Sequence, residues 1–176
     1  MDNSEKNQYV KIQITNAILD LLKEKDIDEI TISEITSKAQ VGRVSFYRNY
    51  KNKEDILEKY LFSIISHWKS KNETEHILPN DLLKRLFEHL IEYKDFYTLL
   101  YQKSLFYLFK DILKEVITAK KTSLSNIEAY ATAFISYGIY GWTEEWLACG
   151  MQESAEEIYD YHGGHLTGVS RKKSGI

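Results

Sequence analysis

The stretch Thr31–Lys53, TISEITSKAQVGRVSFYRNYKNK, constrains the fold more than any other part of the chain. It reads as two short helices joined by a tight turn, followed at once by the start of a longer third. Thr31 and Glu34 have the T-x-x-E spacing of a capping box, in which each residue satisfies an amide of the other. Ile32, Ile35 and Ala39 repeat at helical spacing and form one buried stripe. Gln40, Val41 and Gly42 break that helix and leave Val41 as an apolar plug. A second short helix, roughly Arg43 to Tyr50, buries Phe46 and Tyr50. At about 100° per residue its opposite face carries Val44, Ser45 and Arg48, flanked by Arg43, Tyr47 and Asn49.

That outer face suits DNA better than plain solvent. A helix entering the major groove needs a short apolar or hydroxyl residue for thymine methyls and base edges. It also needs a fork donor for guanine, and tyrosine or lysine for phosphates. From Lys38 to Lys53 the charged residues are Lys38, Arg43, Arg48, Lys51 and Lys53, with no acid among them. Asn52 and Asp55 then form a second capping signature, so the next helix opens with free amides beside Lys51 and Lys53, an arrangement that can hold phosphate.

Val41, Arg43, Ser45-Phe46-Tyr47-Arg48, Tyr50 and Lys51-x-Lys53-Glu54 together resemble the DNA-binding segment of the TetR family of transcriptional regulators. The match runs from about Thr31 to Leu57. Two positions depart from the family pattern. Gln40 stands where glycine is usual and would need a left-handed backbone at some strain. Gly42 stands where a small hydroxyl residue is usual, and caps the recognition helix more weakly. The resemblance implies a homodimer that binds a pseudo-palindromic DNA operator through Thr31, Ser33, Gln40, Arg43, Val44, Ser45, Tyr47, Arg48, Asn49, Lys51 and Lys53. Thr31, Tyr47, Lys51 and Lys53 are the expected phosphate holders; Arg43, Val44 and Ser45 are the expected base readers.

The rest of the chain agrees with an all-α protein. It has 176 residues, 43% of them hydrophobic, with one proline and eight glycines, which leaves little room for hairpins or long structured loops. Net charge is −3, unevenly spread: residues 1–53 hold nine Lys/Arg against eight Asp/Glu, and the remainder fourteen against eighteen. Only a local patch is basic, which predicts site-directed DNA binding rather than a general polycation effect. The single cysteine, Cys149, excludes an internal disulfide framework. No stretch approaches 18 apolar residues and Met1–Val10 is too polar for a signal peptide, so a cytoplasmic protein without membrane contact is expected. Phosphate-loop, H-E-x-x-H and G-x-S-x-G patterns are missing, and neither an enzyme, a metal site nor a cofactor is expected.

Val10, Ile14, Ala17, Ile18, Leu21 and Leu22 predict a first amphipathic helix, about 8–24, that completes a three-helix head over residues 1–52. Ile56, Leu57, Tyr60, Leu61, Ile64, Ile65 and Trp68 predict a fourth, about 53–69, linking the head to a helical effector-binding and dimerisation body over 53–161. Ser70–His76 reads as a surface loop. Further helices follow at about 81–94 (Leu82, Leu83, Leu86, Phe87, Leu90 and Ile91 inside), 95–102 and 105–119, the last capped by Ser104. Ser123 or Ser125 starts the apolar run Ile127–Met151, and a short helix after it brings the expected number to about nine. Residues 162–176, with four glycines and Arg171-Lys172-Lys173, read as a disordered tail.

The Ile127–Met151 run is apolar round much of its circumference and must be covered on every side. A second subunit is the expected cover, with Ile135, Ile139, Trp142 and Trp146 in the interface. The region YGIYGWTEEWLACGM also resembles, more weakly, the last-helix region of a short subgroup that includes regulators of dihydroxyacetone kinase operons. Tyrosine hydroxyls need partners when buried. Trp68, Tyr93, Tyr97, Tyr101, Phe106, Tyr130, Phe134 and Tyr137 are therefore expected either to line a small-molecule effector pocket or to be plain core. Function is expected to be repression relieved by an effector. The alternatives are an activator, a ligand-insensitive regulator acting through a protein partner, or a helical enzyme or carrier with a vestigial head.

Overall fold

The computed structural model describes residues 3–75, 79–118 and 123–166, and all regular structure there is helical. Nine α-helices occur among the described residues: α1 (Asn3–Glu24), α2 (Ile32–Lys38), α3 (Arg43–Asn49), α4 (Lys53–Thr74), α5 (Pro79–Glu92), α6 (Lys94–Gln102), α7 (Tyr107–Thr118), α8 (Asn126–Ala148) and α9 (Ala155–Leu166). A short 3-10 turn, Ile27–Glu29, joins α1 to α2. In the head, α1 packs across α2 and α3. Its stripe Ile14, Ala17, Ile18, Leu21 and Leu22 is buried in one core with Ile35, Ala39 and Phe46. α4 leaves the head alongside α1 and runs along α7; α7 in turn supports α8, while α5 carries α9. The α7 residues Leu108, Phe109, Ile112, Leu113 and Val116 are all buried, as their spacing predicts.

Three helices end the same way. After α2 and α6 one residue turns left-handed, Gln40 (φ 53) and Ser104 (φ 57), and after α8 two do, Gly150 (φ 82) and Met151 (φ 52). The amide that follows Gln40, Ser104 or Gly150 reaches back to close the helix: Val41 to the Thr36 carbonyl at 3.0 Å, Leu105 to Leu100 at 2.8 Å, Met151 to Trp146 at 2.8 Å. These are Schellman closures. Only one uses glycine, so the other two are invisible to a search for glycine stops. Ser104 therefore ends α6 and does not cap α7 as expected. Ser125, by contrast, is the cap of α8, its hydroxyl accepting from the Glu128 amide at 3.3 Å.

Other boundaries also differ from expectation. α1 begins at Asn3, ahead of its apolar stripe. α4 does not stop near residue 69 but continues to Thr74, through most of the expected loop. Its polar side chains bond within the helix and to its neighbours. Asn72 is buried and donates to the Trp68 carbonyl at 2.7 Å, Thr74 to Ser70 at 2.9 Å, and Lys69 reaches the Val116 carbonyl at 2.6 Å. Polarity alone did not mark a break there. Ile91, expected inside, lies on the exposed side of α5. α9 continues to Leu166, so the expected tail is helical at its start, and residues 167–176 lie outside the described part.

Candidate nucleic-acid interface

The interface is built by its caps. The Thr31 hydroxyl accepts from the Glu34 amide at 3.2 Å, and the Glu34 carboxylate accepts from the Thr31 amide and hydroxyl, each at 2.8 Å. Lys25 also donates to Glu34. That bond first, and the Thr31 contacts second, hold the Glu34 carboxyl at about 2 against an ordinary 4.5. Gln40 takes the left-handed turn that its position demands, and Gly42 is the N-cap of α3 with no side-chain bond to offer. Phe46 is fully buried, with Tyr47 edge-on at 5.4 Å, and Tyr50 packs below. This fixes which side of α3 faces out.

Val44 is 68% exposed and Tyr47 61% exposed, with Arg43, Arg48 and Lys51 beside them. Gln40 is also exposed, at the rim of the turn. Arg43 donates to the Ser33 hydroxyl, joining the two helices across the outer face. Ser45 is half-buried under that face. Other expected contact residues are committed within the head. The Thr31 hydroxyl belongs to its capping box. Asn49 is half-buried and returns its amide to the Ser45 carbonyl at 2.9 Å. The Lys53 ammonium is held by the Ile27 carbonyl and lies 3.4 Å from that of Asp28, so it braces the 3-10 turn.

The opening of α4 is also fuller than its sequence implies. Asn52 accepts from the Asp55 amide at 2.8 Å, and the Asp55 carboxylate accepts from the Lys51 amide and Lys59 ammonium, both at 2.8 Å. Burial raises the Asp55 carboxyl, but Lys59 and the Lys51 amide outweigh it and leave the group more acidic than usual. The expected free phosphate site at this terminus is thus partly filled by a carboxylate.

The aromatic residues of the body divide into two groups. Tyr97 is fully buried, its hydroxyl 3.1 Å from His89 Nε2, and the His89 ring lies 4.8 Å from Tyr93 and 6.2 Å from Trp68. Burial, and then His67, hold the His89 imidazole down at about 4. Phe106 stacks between Phe109 and Tyr140, and Tyr101 is half-buried against the core. Tyr130, Phe134 and Tyr137 do not join them. All three lie on the outward side of α8 and cannot line one pocket with Tyr97.

The reason is the packing of the first half of α8. There the buried residues are Thr132 and Ser136, with Thr143, Trp146 and Leu147 buried further along, while the outward side carries Ile127, Tyr130, Phe134, Ile135 and Tyr137. Ile135 is exposed, whereas Ile139 and Trp142 are partly buried and pack on the chain's own core. Trp146 is 4% exposed and stands edge-on to Phe87 at 5.3 Å, so it is core rather than interface. Where α8 meets α9 an open groove of about 560 Å³ runs between Trp142, Trp146 and Tyr161, with Glu145 and Glu153 at its edge.

A two-helix reading unit on a three-helix head, joined to a helical body, defines a helix-turn-helix DNA-binding protein. Residues 14–60 match the family described as bacterial regulatory proteins, tetR family, and residues 79–163 match a transcriptional regulator C-terminal region of the same family. The chain belongs to the TetR family of transcriptional regulators. It is 28% identical over 177 residues to an uncharacterized HTH-type transcriptional regulator, YxbF, of Bacillus subtilis (strain 168). The match takes in 87% of this chain but 44% of that protein, so the chain spans less than half of that curated relative's length. Among solved structures, Lin0861 of Listeria innocua superposes with a TM-score of 0.80 at 10% identity, covering 95% of this chain and 94% of that one. A putative fatty acid metabolism regulator of Clostridium perfringens gives 0.53 at 21% identity, covering 89% and 98%. The dihydroxyacetone kinase operon activator DhaS gives 0.50 at 20%, covering 90% and 94%. At these identities the likenesses speak for the fold alone. No described helix is long and apolar enough to cross a membrane.

Proposed function

We propose that this protein is a homodimeric repressor that reads a pseudo-palindromic operator with α3 and is released by a small-molecule effector. The observation that carries the DNA half is the outer face of α3, where Val44 and Tyr47 stand exposed between Arg43 and Arg48 on a helix otherwise locked by Phe46. Exposed apolar and aromatic groups among cations match a groove with methyls, base edges and phosphates. Arg43, Val44 and Ser45 read bases on this proposal; Tyr47, Arg48 and Lys51 hold phosphates. Gln40 and Ser33 sit at the edge of the footprint. Thr31, Asn49 and Lys53 serve by holding the unit in shape.

The dimer is supported by the outward face of α8. Phe134 is 82% exposed and Ile127 75%. Gly138 and Gly141 lie on the same face, and a Cβ at either would meet nothing within 4 Å in its own chain. A helix glycine costs about 1 kcal/mol against alanine, and nothing among the described residues of one subunit requires either of them. Close approach of a second α8 supplies a reason. An effector, on this proposal, acts through α4, which begins beneath α3 and extends past Trp68 beside His89 and Tyr93.

The alternative that the neighbour DhaS brings to mind is activation. In vitro transcription from the cognate promoter decides between them: repression predicts less transcript as protein is added, and more transcript would establish the activator. Thermal-shift screening against a metabolite panel tests the effector: a ligand raises the melting temperature of the free protein, and one that weakens operator binding must itself be bound more weakly, by the same factor, when operator is present.

A further inference from the structure

A second cleft, about 570 Å³, lies between the first half of α1, the end of α3 and the first half of α4. Three cations line it, Lys11, Arg48 and Lys59, with Asn7, Asn16 and Tyr60 among the other walls and no carboxylate in the lining. The floor includes Tyr50, which is buried. Lys59 is fixed: it donates to the Asn49 carbonyl at 2.7 Å and to Asp55 at 2.8 Å, and lies 5.3 Å over the Tyr50 ring. Asp55 spends its charge there and on the Lys51 amide, behind the cleft wall. No ion pair engages Lys11 or Arg48 among the described residues.

Two unpaired cations converging on a pocket of amides and hydroxyls form an arrangement that selects a doubly charged, multiply accepting group. Amides and hydroxyls donate to phosphoryl oxygens while the cations neutralise them. We propose that this cleft is a phosphoryl-binding site in which Lys11 and Arg48 hold the anion, Lys59 closes the rear, and Asn7 and Asn16 supply neutral donors. It rests on the DNA-binding reading only in that Arg48 belongs to both surfaces. The phosphoryl group has two sources: the operator backbone where it passes α1, outside the span of α3, or a free phosphorylated metabolite. In the second case the metabolite competes with DNA for Arg48.

The test compares wild type with Lys11→Gln and Lys23→Gln. The latter removes one charge from the far end of the same helix, where Lys23 pairs with Asp20 at 2.8 Å. Duplex selected from a random library is titrated at several salt concentrations, and each free protein is melted with sodium pyrophosphate at constant ionic strength. For a backbone phosphate, Lys11→Gln flattens the plot of log affinity against log salt by about 1.8, the share of two phosphate contacts, one from each subunit of the proposed dimer, and pyrophosphate does nothing. For a free phosphorylated ligand, pyrophosphate raises the melting temperature of wild type and Lys23→Gln but not of Lys11→Gln. If Lys11→Gln matches Lys23→Gln in both arms, the proposal is overturned. Failure of wild type to bind any duplex would instead remove the DNA-binding reading, and leaves the pyrophosphate arm to decide the site.

Discussion

Gln40 carries the main residue-scale tension in the reading head. A non-glycine residue in the left-handed region costs about 1–2 kcal/mol, and glycine recovers this less the extra freedom it has when unfolded, about 0.4–1 kcal/mol. Gln40→Gly should therefore stabilise the protein by about 0.5 kcal/mol, read as a melting temperature raised by about 1–2 °C; a fall would show that the Gln40 side chain holds the turn. His89 offers a pH signature. Its imidazole is held down at about 4 from 6.5 by burial. The unfolded chain thus binds more protons between those values, and stability present above pH 6.5 is lost as pH falls toward 4. Melting between pH 7 and 5 should show that decline, and His89→Phe should flatten it. The need for a left-handed Gln40 was legible in the sequence, because a family pattern marks that position. The His89–Tyr97 pair was not, since residues eight apart meet only when the end of α5 folds back on α6.

At the scale of elements, capping residues made the head readable: Thr31 with Glu34, and Asn52 with Asp55, sit where their spacing implies. Composition served less well in the body. Ser70–Thr74 is polar yet helical, its asparagine and threonine bonding to carbonyls four residues back. α8 was read as apolar round much of its circumference, but which side faces inward depends on α7, and the buried side carries Thr132, Ser136 and Thr143 together with Trp146 and Leu147. Hence Trp146 was misassigned to the interface. Mutations separate the two sides. Phe134→Glu should turn dimers into monomers on sedimentation while leaving the melting of the monomer nearly unchanged. Trp146→Ala should cost about 3–5 kcal/mol of stability wherever the subunits stand. Gly138→Ala is the sharper probe. In an isolated chain it should stabilise α8 by up to about 1 kcal/mol, whereas close α8–α8 packing predicts weaker association.

Across the whole molecule, α4 joins the reading head to the body, and α6 touches the head a second time through α1 and through Lys103, which reaches Asp26 at 2.9 Å. In the proposed dimer the two heads would thereby be held at a spacing set by the bodies. Reading successive major grooves requires half-sites about 34–36 Å apart, or a multiple. Arg43→Ala should lose about 1–3 kcal/mol on the operator and relax choice at one base pair, after breaking its own bond to Ser33. Lys53→Ala should act chiefly on stability, since that ammonium braces the 3-10 turn. The measurement closest to the central claim is the stoichiometry and salt dependence of binding to a duplex selected from a random library, compared with a duplex carrying only one of its half-sites. The account predicts two chains per full site, much weaker binding to the half-site, and affinity that falls linearly in log salt. One chain per duplex with equal affinity for half and full sites, or no preference over random DNA, would contradict it.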